Sequence, residues 1–180
     1  MTVALQDLTF LDSLFSAFFK RKAIKDTLAA IREDSIRGWE KWLQIELAVY
    51  LRKHKEVKAW GRETQYLLDK RVAKVRSKCA IDFIIHQTRK HSHLAVEIKQ
   101  LNATKSCIDR MLRDMRKMNK IRGSEFDIRS VWCLGIHNAT DADEVLRKVG
   151  YYAGELQVEI DPKLVVTRPI GRTGYSYTLF

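Results

Sequence analysis

Two short apolar segments carry charge inside them: Ala80-Ile81-Asp82-Phe83-Ile84-Ile85 and, after a polar turn-like stretch, Leu94-Ala95-Val96-Glu97-Ile98-Lys99. Each has the length and composition of a strand. Side chains alternate between two faces along a strand, so Glu97 and Lys99 point one way while Val96 and Ile98 point the other. Asp82 interrupts an otherwise apolar run. Burying one carboxylate in a sheet is costly, and burying two carboxylates and an ammonium together is costlier. A divalent cation removes that objection, because hard oxygen ligands gathered on adjacent strands are what Mg²⁺ requires.

The rest of the composition narrows the class. A chain of 180 residues, 46% hydrophobic and 31% charged, is long enough for one domain with a sizeable core. Its 33 Lys and Arg against 22 Asp and Glu leave a net charge of +11, which favours a polyanionic partner, most simply nucleic acid. The bland alternative is a basic surface that serves solubility. Cys79, Cys107 and Cys133 are widely separated with no C-x-x-C pair, which points to reduced thiols in a cytoplasmic core rather than a disulfide framework or zinc knuckle. No apolar run reaches the ~20 residues of a membrane helix, and the early acids Asp7 and Asp12 do not fit a secretory signal.

Along the chain, residues 1–34 read as a helical extension: Leu5, Leu8, Leu11, Phe15, Phe18 and Phe19 recur at three- and four-residue steps. So apolar a segment either packs on the domain or forms a homodimer contact. A helix is expected over 35–52, with Trp39, Trp42, Leu43, Val49 and Tyr50 as its apolar stripe. Glu46 falls inside that stripe and Glu40 at its edge. A strand-like stretch over 65–78 carries Lys70, Arg71 and Lys74, suited either to phosphate contacts or to protecting a solvated edge.

After the two charged strands, Ser106 and Asp109 suggest a capping-box start for a helix reaching Ile121, with Ile108, Met111, Leu112, Met115 and Met118 buried. Arg113 and Lys117 lie among the basic residues on its other faces, where a nucleic-acid backbone could run. Asp109 and Asp114 temper that face through helical ion pairs. A buried strand is expected over 130–137, a helix over 141–154, and C-terminal strands over 164–167 and 175–180.

The spacing Asp82…Glu97-x-Lys99, split between two consecutive strands and followed by a basic helix, resembles the signature of the PD-(D/E)xK nuclease superfamily, the restriction-endonuclease-like fold. Ile81 stands where the proline of that signature would be. The resemblance spans roughly residues 35–137. It implies an α/β fold with an α-β-β-β-α-β core, a mixed central sheet flanked by helices, plus the N-terminal extension and, over 138–180, a C-terminal helix and strands. It further implies Mg²⁺ or Mn²⁺ held by Asp82, Glu97 and the Ile98 carbonyl, with Lys99 beside the attacking water. An acid from the preceding helix completes such a site, and Glu46 is preferred over Glu40 for it.

The expected activity is metal-dependent hydrolysis of phosphodiester bonds, with DNA as the substrate and no membrane association. Two other readings use the same scaffold. A non-catalytic nucleic-acid-binding module would rely on the basic helix and strand. An interaction protein would exploit the apolar N-terminal helix. In both, Asp82, Glu97 and Lys99 are a salt-bridged cluster inside a sheet.

Overall fold

The computed structural model describes residues 2–67, 78–121 and 127–180. Their order is α1 (Val3–Lys20), α2 (Lys22–Glu33), α3 (Glu40–Lys53), β1 (Val57–Leu67), β2 (Lys78–Gln87), β3 (His93–Gln100), α4 (Thr104–Met118), β4 (Ile128–Asn138), α5 (Ala142–Leu156), β5 (Val166–Pro169) and β6 (Tyr175–Leu179). The six strands form one mixed sheet in the order β1-β2-β3-β4-β6-β5. Only β3 and β4 pair in parallel. A parallel pair needs a crossover, and α4 supplies it. The expected α/β class and mixed sheet are therefore present. Among the described residues no helix is long and apolar enough to cross a membrane.

Apolar side chains fill both faces of the sheet. On one, α1, α2 and α3 cover Phe83, Ile85, Leu94, Val96, Ile98, Trp132, Leu134 and Ile136. On the other, α4 and α5 cover Cys79, Ile81, Ile84, Ala95 and Cys133. The approach of α4 is close: a side chain on Gly135 of β4 would run into Met111 and Cys107. All three thiols are free and buried.

The N-terminal segment is two helices rather than one, and its apolar stripe joins the core. Leu8, Leu11, Leu14, Phe15, Phe18 and Phe19 pack in the same cluster as the sheet. Two acids orient α1. Asp7, 1% exposed, is 2.9 Å from Arg129 Nε and accepts from Ser130 Oγ at 2.7 Å. Asp12 accepts from Arg168 Nε at 2.7 Å and from the Tyr177 hydroxyl at 2.9 Å. Other boundaries shift from expectation. Helix α4 begins at Thr104 behind Ala103 without a side-chain cap, so the Ser106/Asp109 capping box is not used. Strand β1 starts at Val57 rather than near Gln65, and the remainder of the 65–78 stretch lies outside the described residues.

Removing Asp7 would leave the Arg129 guanidinium buried without its counter-charge. Asp7→Ala is expected to cost about 3–5 kcal/mol, and Asp7→Asn less, in urea unfolding followed by circular dichroism. Loss of under about 1 kcal/mol for Asp7→Ala would show that α1 is held by its apolar stripe alone.

Candidate active site

Strands β2 and β3 pair regularly through Phe83–Val96, Ile84–Ala95 and Ile85–Leu94, and then part. Beyond that point side chains take the place of the ladder. The Asp82 N–H donates to Glu97 Oε2 at 3.3 Å, and the Ile98 N–H donates to Asp82 Oδ2 at 2.8 Å. One step further along β3, the Gln100 N–H donates to Glu40 Oε2, from the first turn of α3, at 3.0 Å. Three carboxylates thus fill a wedge whose edge is the backbone of β3. The Ile98 carbonyl leaves the strand on the same side as its N–H, so it too faces the wedge.

The pleat is broken where the wedge opens. Ile81 belongs to the core under α4, whereas Phe83 belongs to the core under α1–α3. Residues two apart in a regular strand share a face, so the alternation changes over at Asp82. Opposite it in β1, Glu63 has φ +51, a left-handed conformation uncommon outside glycine. Lys41 and Arg62 hold the Glu63 carboxylate at 2.5 and 3.7 Å.

Lys99 projects from β3 on the same face as Glu97, as strand alternation requires. Its Nζ is 2.9 Å from Asp114 Oδ2 on α4 and 3.3 Å from Glu97 Oε1. Burial alone would favour the neutral amine. The hydrogen bond that Lys99 donates to Asp114, and the negative charges of Glu97, Asp114 and Glu40, outweigh it and raise the pKa of Lys99 above the ordinary lysine value. Lys99 is therefore an ammonium at any physiological pH. Glu97 is pushed the opposite way from a typical surface acid. Desolvation, then the neighbouring charge of Asp82, lift it to about 7, and Lys99 offsets this only in part. Desolvation also raises Glu40, against the Gln100 hydrogen bond and the charge of Lys99.

The structure brings together Asp82, Glu97 and Lys99 of the expected set, with the Ile98 backbone. It does not bring Glu46. That side chain lies 4.0 Å from Arg21 and is one-third exposed. The reason is the face that α3 buries: Leu43, Gln44, Leu47, Ala48 and Leu51, with Val49 exposed. Of the expected stripe, Trp39 and Leu43 are buried and Trp42 and Tyr50 pack against the core, while Val49 is exposed; the buried face centres on Leu43, Leu47 and Leu51, and Glu40 is the acid that reaches the sheet. Asp114 meets Lys99 rather than a partner on its own helix, whereas Asp109 pairs within the helix, with Arg113 at 2.8 Å.

Asp114 was detectable in principle, since it shares a helical face with Cys107, Met111 and Met118. Of the residues expected to contact nucleic acid, Arg113 is exposed, and Lys117 is half-buried beside the Cys79 thiol. Lys70, Arg71 and Lys74 lie outside the described residues.

Among the described residues, no three His, Cys, Asp or Glu side chains form a ready-made metal cluster. Of the groups in the wedge, the Asp82 and Glu97 carboxylates and the Ile98 carbonyl are the hard oxygens of a Mg²⁺ or Mn²⁺ site, with the Glu40 carboxylate beyond them. Each carboxylate oxygen can accept beyond the one N–H it already binds. In comparisons with known proteins, no family model, no curated protein and no solved structure matches this chain.

A raised carboxyl pKa means that stability is fully present below the ordinary value of Glu, falls as pH rises, and has been lost once pH passes about 7. Glu97→Gln removes the ionisation. In a metal-free buffer it is therefore expected to match the wild type near pH 5 and to exceed it at pH 8 by on the order of 2–3 kcal/mol. Equal stabilities at pH 8 in denaturant titrations would show that Glu97 ionises without cost.

Proposed function

We propose that this chain is a metal-dependent nuclease of the PD-(D/E)xK type that hydrolyses phosphodiester bonds in DNA. One observation carries the reading: Asp82, Glu97 and Lys99 meet where β2 leaves β3, with Glu97 held near neutral pKa by burial and by Asp82. Such a carboxylate pair is unfavourable until a cation joins it. The element order α3-β1-β2-β3-α4-β4 supports the restriction-endonuclease-like topology, and the net charge of +11 supports a polyanionic substrate.

In this reading Asp82, Glu97 and the Ile98 carbonyl hold Mg²⁺ or Mn²⁺. The ion supplies charge relief at phosphorus and acidifies a bound water. Lys99 remains protonated, and with two of its three N–H donors on Asp114 and Glu97 it acts by donating the third to the attacking water or a non-bridging phosphate oxygen, not as a base. Asp114 fixes the ammonium between α4 and β3 and is a positioning residue. Glu40 takes the place expected of Glu46, at the far end of the wedge, where its carboxylate can orient a water.

A purely structural network is the competing reading. It is favoured by the 2.9 Å Asp114–Lys99 pair, which already neutralises part of the cluster.

Cleavage of supercoiled plasmid, linear duplex and single-stranded DNA, with Mg²⁺, Mn²⁺ or EDTA, tests the proposal. Wild type should cut only with metal. Asp82→Asn and Lys99→Met should each lose on the order of 10³-fold, ~4 kcal/mol of barrier, while remaining folded. Glu40→Gln should fall by at least about tenfold, whereas Glu46→Gln should stay within about twofold. No metal-dependent cutting of any substrate by wild type, with equal metal-free DNA binding by all variants, would favour the structural network.

Metal binding itself has a pH signature. Glu97 must lose a proton to ligate, so calorimetric titration with Mg²⁺ near pH 6.5 should release roughly three-quarters of a proton per ion, and affinity should weaken as pH falls below about 7. Affinity independent of pH between 5.5 and 8 would remove Glu97 from the ligand set.

A further inference from the structure

A cationic site lies at the same end of the sheet as the wedge, beside the β5 edge. A cavity of about 210 Å³ between α1, α2 and the β5–β6 turn is lined by Ser16, Lys20, Lys25, Arg168, Gly171 and Tyr177, among others. Among the described residues, the acid bonded to this lining is Asp12, which is taken up by Arg168 and Tyr177. Among the described residues Lys20, Lys25 and Arg172 form no ion pair.

The turn is shaped to seat cations. Gly171 and Gly174 both have positive φ, +54 and +75. A side chain on Gly171 would come within 3.1 Å of Lys25 Cδ, and one on Gly174 would collide with the Arg32 guanidinium. The two glycines therefore let the stem of Lys25 and the guanidinium of Arg32 lie against the turn. Arg32 is fixed further by donating to the Gly174 carbonyl and to Asn138 Oδ1, each at 3.0 Å, and by lying over the Tyr175 ring. Charges fixed in advance lose little entropy when they bind an anion.

Strand register connects this site to the wedge. Gln100 of β3, which Glu40 caps, pairs with Ile136; Ile136 pairs with Tyr177; and Tyr177 pairs with Arg168. Three strand spacings separate the ends of that row, about 14 Å. Phosphates on one strand of a duplex rise ~3.4 Å apiece along the axis, so the gap spans roughly four of them. Arg32 and Asn138 lie between. The aromatic rings along the row, Trp39, Tyr175 and Tyr177, are buried and offer no platform for stacking unpaired bases.

We propose that Lys20, Lys25, Arg32 and Arg172, presented by α1, α2 and the β5–β6 turn, form a backbone-binding track for duplex DNA about four base pairs from the cleavage site. The proposal deepens the nuclease reading and rests on it for the meaning of the distance. The track contributes affinity without sequence preference, because it meets phosphates and no bases.

Binding of a 20-base-pair duplex, followed by fluorescence anisotropy in EDTA over a range of salt, tests the track without requiring cleavage. Lys20→Gln/Lys25→Gln should weaken binding about tenfold or more at low salt. It should also make the slope of log affinity against log salt shallower by about two. Lys53→Gln/Lys55→Gln, with the same change in net charge where α3 ends and leads into β1, should stay within about twofold of wild type. A single strand of equal length should lose less than the duplex.

An unchanged slope, an equal loss in the control pair, a larger loss for the single strand, or no duplex binding by wild type would each overturn the track. The nuclease reading fails separately, by the absence of metal-dependent cutting. If wild type does cut, Lys20→Gln/Lys25→Gln should raise KM and leave kcat unchanged; a fall in kcat with KM unchanged would place these lysines in the chemistry rather than in the track.

Discussion

Where β2 and β3 separate, backbone donors on β3 lose their strand partner, and an unpartnered N–H away from water is expensive. Asp82 and Glu40 satisfy Ile98 and Gln100, while Glu97 satisfies Asp82 itself. That substitution of carboxylates for ladder bonds is what allows the sheet to fork, and it also concentrates negative charge at one point. Glu97 near neutral pKa and Lys99 locked as an ammonium follow from the same crowding. The fork and the candidate site are one feature, since relieving the first creates the second.

Everything that positions the wedge is packing from the two sides. Helix α3 brings Glu40 because Leu43, Leu47 and Leu51 bury against the sheet. Helix α4 brings Asp114 because Gly135 lets it press onto β4 through Met111 and Cys107. Helix α1 is tied to β4 by Asp7 and to β5 and β6 by Asp12. The acid on Arg168 is shared with the charge of Lys20, while Lys25 has no ion-pair partner among the described residues at the β5–β6 edge.

Much of this was legible from residue order. Alternation alone places Glu97 and Lys99 on one face, and the interruption at Asp82 marks where the strand cannot continue as ordinary core. The misplacements have physical causes. Helix α3 is apolar on more than one side, with Trp42, Ile45 and Val49 as well as Leu43, Leu47 and Leu51, so periodicity alone left the buried stripe undetermined and favoured Glu46. Asp114 has lysine and arginine neighbours within its own helix, and local pairing is the default expectation for such a residue. The N-terminal leucines and phenylalanines left open both packing on the domain and a dimer contact, and here they pack on the sheet.

The amino-acid sequence by itself determined an α/β chain, the strands that carry Asp82, Glu97 and Lys99, and an excess of positive charge, because these depend on short-range alternation and on totals. Only the tertiary structure decided that Glu40 and Asp114 are the partners, that Glu46 faces Arg21, and that lysines from the first two helices meet the last hairpin. Those pairings join residues from 15 to more than a hundred positions apart. They are set by which helical face wins the competition for burial, a choice that no local pattern encodes.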